Sequence, residues 1–112
     1  MVENKTVNPN IVIISGTCCS PVFEEVDKQT VKNLEEALKH LEINAEISLA
    51  PVTELVQATN LSWVALEKAY LMFKKYGIKM CPAIVFDDDV VFVGGIPTVE
   101  QIEEKLTEAY LR

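Results

Sequence analysis

Three cysteines are the side chains of this chain whose type and placement point most directly to covalent chemistry. Cys18 and Cys19 are adjacent, between an apolar run at Ile11 to Ile14 and the pair Ser20 and Pro21, after which a helical pattern begins. Cys81 directly precedes Pro82 at the start of a second apolar run, Ala83 to Phe86. All three stand at ends of expected strands, where filling a core is not the obvious use of a thiol. A cysteine at a helix start faces backbone N–H groups that have no intrahelical partner and the positive end of the macrodipole, which together favour thiolate over thiol. Cys19 is better placed for this effect than Cys18, one residue farther out. Burial as a small hydrophobe, a common fate of free cysteine, is the bland alternative and weighs more on Cys81 than on the adjacent pair.

The 112 residues, 49% hydrophobic and 24% charged, suit one globular core that needs no disulfide staple. The expectation is a flexible N-terminal arm over 1–9 and a single domain over 10–112. No apolar stretch approaches the roughly 20 residues that span a membrane, and the first residues lack a signal-peptide core, so a cytoplasmic protein is expected. In a reducing compartment an odd number of cysteines favours reactive or metal-binding thiols over structural bridges. A net charge of −7, with the lysines scattered, argues against nucleic acid and against an anionic membrane surface. Oligomeric state is left open. No histidine cluster, phosphate loop or dinucleotide fingerprint is present, and no cofactor is expected.

The elements that must position the cysteines follow from periodicity. Ile11 to Ile14 reads as a strand covered on both faces. Pro21 suits a first helical turn, and Phe23, Val26, Thr30, Leu34, Ala37, Leu38 and Leu41 recur at helical spacing over about five turns. Ala45, Ile47 and Leu49 alternate with Glu46 and Ser48, the pattern of a half-covered strand at or near an edge. Residues 52–59 suit a short helix. Asn60 or Ser62 caps a longer one from Trp63 to Tyr76 that stops at Gly77. Ala83 to Phe86 and Val90 to Val93 flank three aspartates, Asp87 to Asp89, as a hairpin whose acidic turn is read as solvated rather than metal-binding. Thr98 opens a capping box with Gln101, ahead of a helix with Val99, Ile102, Leu106 and Ala109 inward. The aromatic spacing at Trp63, Tyr70, Phe73 and Tyr76 could mark a binding face, but core packing is the favoured reading.

The order strand, helix, strand, helix, strand, strand, helix gives an α/β fold with a mixed four-stranded sheet and helices on both faces. With these elements, the stretch from Gly16 to Val22 and the stretch from Lys79 to Phe86, followed by Val90 to Glu100, resemble the thioredoxin-like family, especially its small archaeal and bacterial members. The resemblance implies that family's three-layer sandwich. Gly16 to Val22 looks like the loop of its C-x-x-C motif, and Cys81 and Pro82 look like its cis-proline loop. Aligned by Pro21, Cys19 takes the place of the attacking cysteine, Cys18 that of the residue before it, and Val22 that of the second cysteine. Ile13 falls where many members carry a buried acid.

The resemblance further implies that Cys81, just before the proline, lies beside Cys19 and can act as a resolving thiol. A bridge between the neighbours Cys18 and Cys19 would be strained, since adjacent Cα atoms are about 3.8 Å apart and disulfides usually span about 4.4 to 6.8 Å. The expected function is a small thiol–disulfide oxidoreductase acting on a disulfide-containing protein or a small thiol or disulfide. Cys19 attacks, Cys81 or else Cys18 resolves, and Pro82, Pro21 and Ser20 shape the substrate groove. An alternative of another class is a thiolate site for a soft ion such as arsenite or Cu(I), using Cys18, Cys19 and Cys81. Gly16 to Ser20 is also similar to the Cys-Cys-Ser of arsenical-resistance metallochaperones with this fold. A third is a non-catalytic binding module that keeps the fold alone.

Overall fold

The structure is a computed structural model, and it describes residues 9–16, 21–53 and 61–111. Strand β1 (Asn10–Ser15) leads toward helix α1 (Phe23–His40), followed by strand β2 (Glu46–Pro51) and helix α2 (Trp63–Tyr76). A 3₁₀ turn (Gly77–Met80) then enters strand β3 (Ala83–Phe86), which hairpins into strand β4 (Asp89–Phe92) before helix α3 (Val99–Tyr110). The four strands form one mixed sheet in the order β2-β1-β3-β4, with β1 parallel to β2 and antiparallel to β3.

The central pair is buried on both sides, as continuous apolar runs require. Successive side chains alternate between faces. Ile11, Ile13, Ile84 and Phe86 pack with Leu34, Ala37 and Leu38 of α1 and with Ile102 and Leu106 of α3. Val12, Ile14, Ala83 and Val85 pack on the other face with Ala65 and Ala69 of α2. The sheet is thus the middle of three layers. Pro9, at the end of the expected arm, is buried, and its carbonyl accepts the N–H of Glu46 at 3.1 Å.

The helix ends follow the capping residues. Ser62 Oγ accepts the N–H of Ala65 at 3.1 Å, and α2 stops at Gly77, whose φ of +66° suits a residue without Cβ. Thr98 and Gln101 form a reciprocal capping box. Pro21 lies two residues before α1, in a turn where its carbonyl accepts the N–H of Glu24 at 3.1 Å. The short helix expected over 52–59 falls largely outside the described residues.

Three expectations are corrected. Leu49 is more than half exposed, because the edge strand β2 has α1 over only part of that face. Ala109 is exposed, and Tyr110 takes the inward place instead, its ring 5.8 Å from that of Phe86. The largest difference lies in α2. Ala65 and Ala69 bring the helix close to the sheet, with Leu66, Met72 and Phe73 beside them, so Trp63 and Tyr70 fall on the far side. Core packing holds for Phe73 alone among the four aromatics; Trp63, Tyr70 and Tyr76 are exposed.

Tyr110 also fastens α3 to the hairpin, its hydroxyl donating to Asp87 Oδ2 at 2.6 Å. Burial, then the hydrogen bond to Asp87 and its charge, push the phenol well above its ordinary pKa near 10. A raised phenol pKa in the folded state stabilises the fold fully below the unfolded value, and this contribution is lost as pH rises above about 10. The wild-type chain is therefore expected to lose more stability above pH ~10 than Tyr110→Phe, measured by urea unfolding across that range.

Candidate active site at the joined strand ends

The register of the central strands pairs Ile14 with Ala83. Continued by two residues, it sets Gly16 level with Cys81. The packing agrees: a Cβ built on Gly16 would lie 3.1 Å from Cys81 Cβ and 2.9 Å from Phe23 Cδ2. Gly16 is the last described residue before the segment that carries Cys18, Cys19 and Ser20, and these three lie outside the described residues. Pro21 resumes the description, exposed, just ahead of α1. Of the residues singled out from sequence, Cys81, Pro82 and the Gly16 end of the cysteine segment are brought together at one end of the sheet.

Cys81 is 4% exposed and belongs to the core face packed under α2. Its N–H donates to the Ile78 carbonyl at 3.0 Å, and the Cys81–Pro82 peptide bond is cis. The loop after β4 holds this bend from the other side. The Gly94 N–H donates to the carbonyls of Met80 at 2.8 Å and Pro82 at 3.2 Å. Gly94 has φ +68°, and a Cβ there would lie 2.9 Å from the Lys79 carbonyl oxygen, so the close approach demands glycine twice over.

Sequence reasoning missed one polar group beside this end. Asp27, in the second turn of α1, is 6% exposed and accepts the Ser15 hydroxyl at 2.5 Å on Oδ2. Ser15 is the last residue of β1 and precedes Gly16. The signal was present in the spacing, since Asp27 precedes Thr30 by three and Leu34 by seven on the buried stripe of the helix. A cleft of about 410 Å³ opens toward this pair between α1 and β2, with Val31 and Leu49 on its walls. Among the described residues no group of histidines, cysteines and acids could hold a metal ion. Asp87, Asp88 and Asp89 are exposed at the hairpin turn.

The model of the thioredoxin domain matches residues 10–107. This chain belongs to the thioredoxin-domain family. A thioredoxin of Methanocaldococcus jannaschii is 32% identical over 102 residues, covering 90% of each chain. The crystal structure of an arsenical resistance operon trans-acting repressor from Bacteroides vulgatus superposes with a TM-score of 0.51 at 16% identity, covering 91% of this chain and 93% of that one. That likeness shows the shared fold. Family and relative together support a thiol oxidoreductase at a coarse level. No helix among the described residues is long and apolar enough to cross a membrane.

The two glycines that allow the strand ends to meet are expected to be intolerant. Gly16→Ala and Gly94→Ala should each cost about 1–3 kcal/mol, from overpacking at the first and from left-handed strain with a carbonyl clash at the second. Gly77→Ala, where nothing lies within 4 Å, should cost the backbone strain alone, about 1–3 kcal/mol for φ +66° with ψ −148°, with no clash added. Urea unfolding of the three variants checks these losses, and Gly94→Ala, which adds a carbonyl clash to positive-φ strain, should lose more than Gly77→Ala.

Proposed function

We propose that this chain is a small thiol–disulfide oxidoreductase in which Cys19 attacks and Cys81 resolves. The observation that carries the reading is the contact between Gly16 and Cys81. Cys19 is three residues from Gly16, a tether of at most about 11 Å at 3.8 Å per step. A sulfur two residues before β3 is therefore within the tether length of Cys19, which supports its use in place of the second cysteine where this chain has Val22.

Burial divides the roles. Cys81, 4% exposed, is screened from the disulfide of a partner but open to an intramolecular attack. Cys19, two residues ahead of Pro21 in the sequence, would draw its electrostatic support from the positive end of the α1 macrodipole at its first turn, the Glu24 N–H being already taken by the Pro21 carbonyl. Glu24 and Glu25 in that turn oppose the effect, yet both are largely exposed and pair with Lys28, so solvent and the cation weaken their opposition. Pro82 and Pro21 frame the groove, with Ser20 between Cys19 and Pro21.

In the reaction the Cys19 thiolate attacks one sulfur of the substrate disulfide, the substrate S–S bond breaks, and the departing sulfur takes a proton. The Cys81 thiolate then attacks Cys19 Sγ, forming the internal disulfide and releasing the second substrate thiol. The substrate gains two electrons and the protein loses two, to be restored by a dithiol reductant.

The same contact favours a second reading, a three-sulfur site for arsenite or Cu(I), because Cys81 would supply the third soft ligand beside the adjacent pair. A non-catalytic binding module would show neither behaviour.

Cys19→Ser is expected to abolish reduction of insulin disulfides with dithiothreitol as reductant, while circular dichroism stays native. Cys81→Ser should instead trap a mixed disulfide seen by mass spectrometry. Full activity of Cys19→Ser would overturn the assignment. Anaerobic arsenite titration that protects three thiols from alkylation, without turnover of insulin, would select the second reading.

A further inference from the structure

The outward face of α2 has no role in the fold and is unlike the rest of the surface. At 100° per residue, Trp63, Glu67, Tyr70 and Lys74 point away from the Ala65 and Ala69 side that meets the sheet. Trp63 is 83% exposed, and Val64, Tyr70 and Leu71 are each more than half exposed. Large aromatic side chains offer about 150–250 Å² each, so Trp63 and Tyr70 alone present roughly 300 Å² of ring surface. That is about the size of the largest apolar patch on a typical monomer, which is often functional, and Val64 and Leu71 extend it.

Its charge is also distinctive. The chain carries −7, yet between Leu61 and Cys81 four lysines, Lys68, Lys74, Lys75 and Lys79, meet one acid, Glu67. Lys68 is spent on Asp89 at 3.0 Å. Lys74 and Lys75 stand over the rings of Tyr70 and Tyr76 at 5.7 and 5.2 Å, which makes a mixed surface of rings and cations. On the opposite layer, α3 sets Glu100, Glu103, Glu104 and Glu108 against Lys105. An acidic partner is repelled there and drawn to α2. The lysine row runs on through Lys79 to Cys81, two residues away.

We infer that the outward face of α2 is the docking surface for an acidic protein partner whose disulfide it brings toward Cys81 at the end of the 3₁₀ turn. This rests on the thiol–disulfide reading above and specifies the substrate class. A helix of 14 residues offers about 21 Å of contact, more than a small disulfide can use. A two-fold pairing of α2 with a second copy would face the lysines of both chains against one another, with one glutamate each. The acidic hairpin at Asp87 to Asp89, bordering the face through Lys68, opposes a denser polyanion.

The test uses the full chain and three probes. Two are synthetic peptides of equal length, each closed by one disulfide and sharing the same apolar residues, one glutamate-rich and one lysine-rich; the third is hydroxyethyl disulfide. The variants are Trp63→Ala with Tyr70→Ala, and Lys74→Glu with Lys75→Glu, all exposed positions, with native circular dichroism as the control. Wild type should prefer the glutamate-rich peptide, and either pair of substitutions should lower its kcat/KM about tenfold or more, the loss expected of interface anchors. Hydroxyethyl disulfide reduction should be unchanged, and the Lys→Glu pair should shift preference to the lysine-rich peptide.

Unchanged kcat/KM for the glutamate-rich peptide, or equal losses on both peptides, overturns the docking surface and leaves the redox reading intact. No reduction of any of the three disulfides by wild type overturns both. A dimer in analytical ultracentrifugation that Trp63→Ala with Tyr70→Ala dissociates assigns the face to self-association and overturns the proposal.

Discussion

The close approach of Gly16 to Cys81 is the constraint on which the site depends, and it is set by the register of β1 on β3. Ile11 through Ile14 pair with Phe86 through Ala83, and the two ends beyond that ladder are forced level. Phe23 of α1 closes on Gly16 from one side, and the Gly94 loop after β4 holds the Cys81–Pro82 bend from the other. Slipping the register by one residue would turn Ile11 and Ile13 from the α1 and α3 layer toward α2, and Val12 and Ile14 the other way. Since both faces are packed with side chains of different size, that slip is costly. The position of a thiol is thereby fixed by the whole core rather than by its own loop.

The Ser15 and Asp27 pair ties a second element to the same point. A buried carboxyl is expensive unless it is hydrogen-bonded, and here the Ser15 hydroxyl at the end of β1 donates to it. The bond joins the start of α1 to the strand residue next to Gly16. The segment that holds Cys18 and Cys19 therefore leaves from one anchored end, at Gly16, and arrives at another, at Pro21, two residues before the helix. Ser15 shows why a polar residue ends an otherwise apolar strand: its partner comes from the helix that the loop must reach.

Much of this was legible in the sequence because the signals are local. The buried strands read as unbroken apolar runs, and Ser62, Gly77 and the Thr98–Gln101 box marked helix ends by residue type. That Cys81 stands near the cysteines is an expectation carried by family resemblance alone, since no local pattern carries a contact between residues so far apart; the described residues bring Cys81 level with Gly16. Two further features were hidden for opposite reasons. Asp27 sits on the buried stripe of α1, but its polar type conceals it from a search for apolar spacing. In α2 the helical spacing of the aromatics points to core packing, whereas the two alanines let the backbone approach the sheet and turn Trp63 and Tyr70 outward. Spacing fixes which residues share a face. It does not say which face is covered when small residues can do the covering.

The substitution at Val22 and the thiol at Cys81 belong to one argument. Val22 is exposed, so a cysteine there would be open to outside thiols and disulfides as well as to Cys19. Cys81 is different in kind: it is 4% exposed in the core face, its N–H donating to the Ile78 carbonyl and its Cβ close to Gly16, so under the proposed reading it would be screened from outside disulfides. Rates of thiol–disulfide exchange depend on access as well as on thiolate character. In the proposed reaction, placing the second sulfur at Cys81 rather than at position 22 would trade exposure for selectivity, because release of the mixed disulfide would then be an internal step.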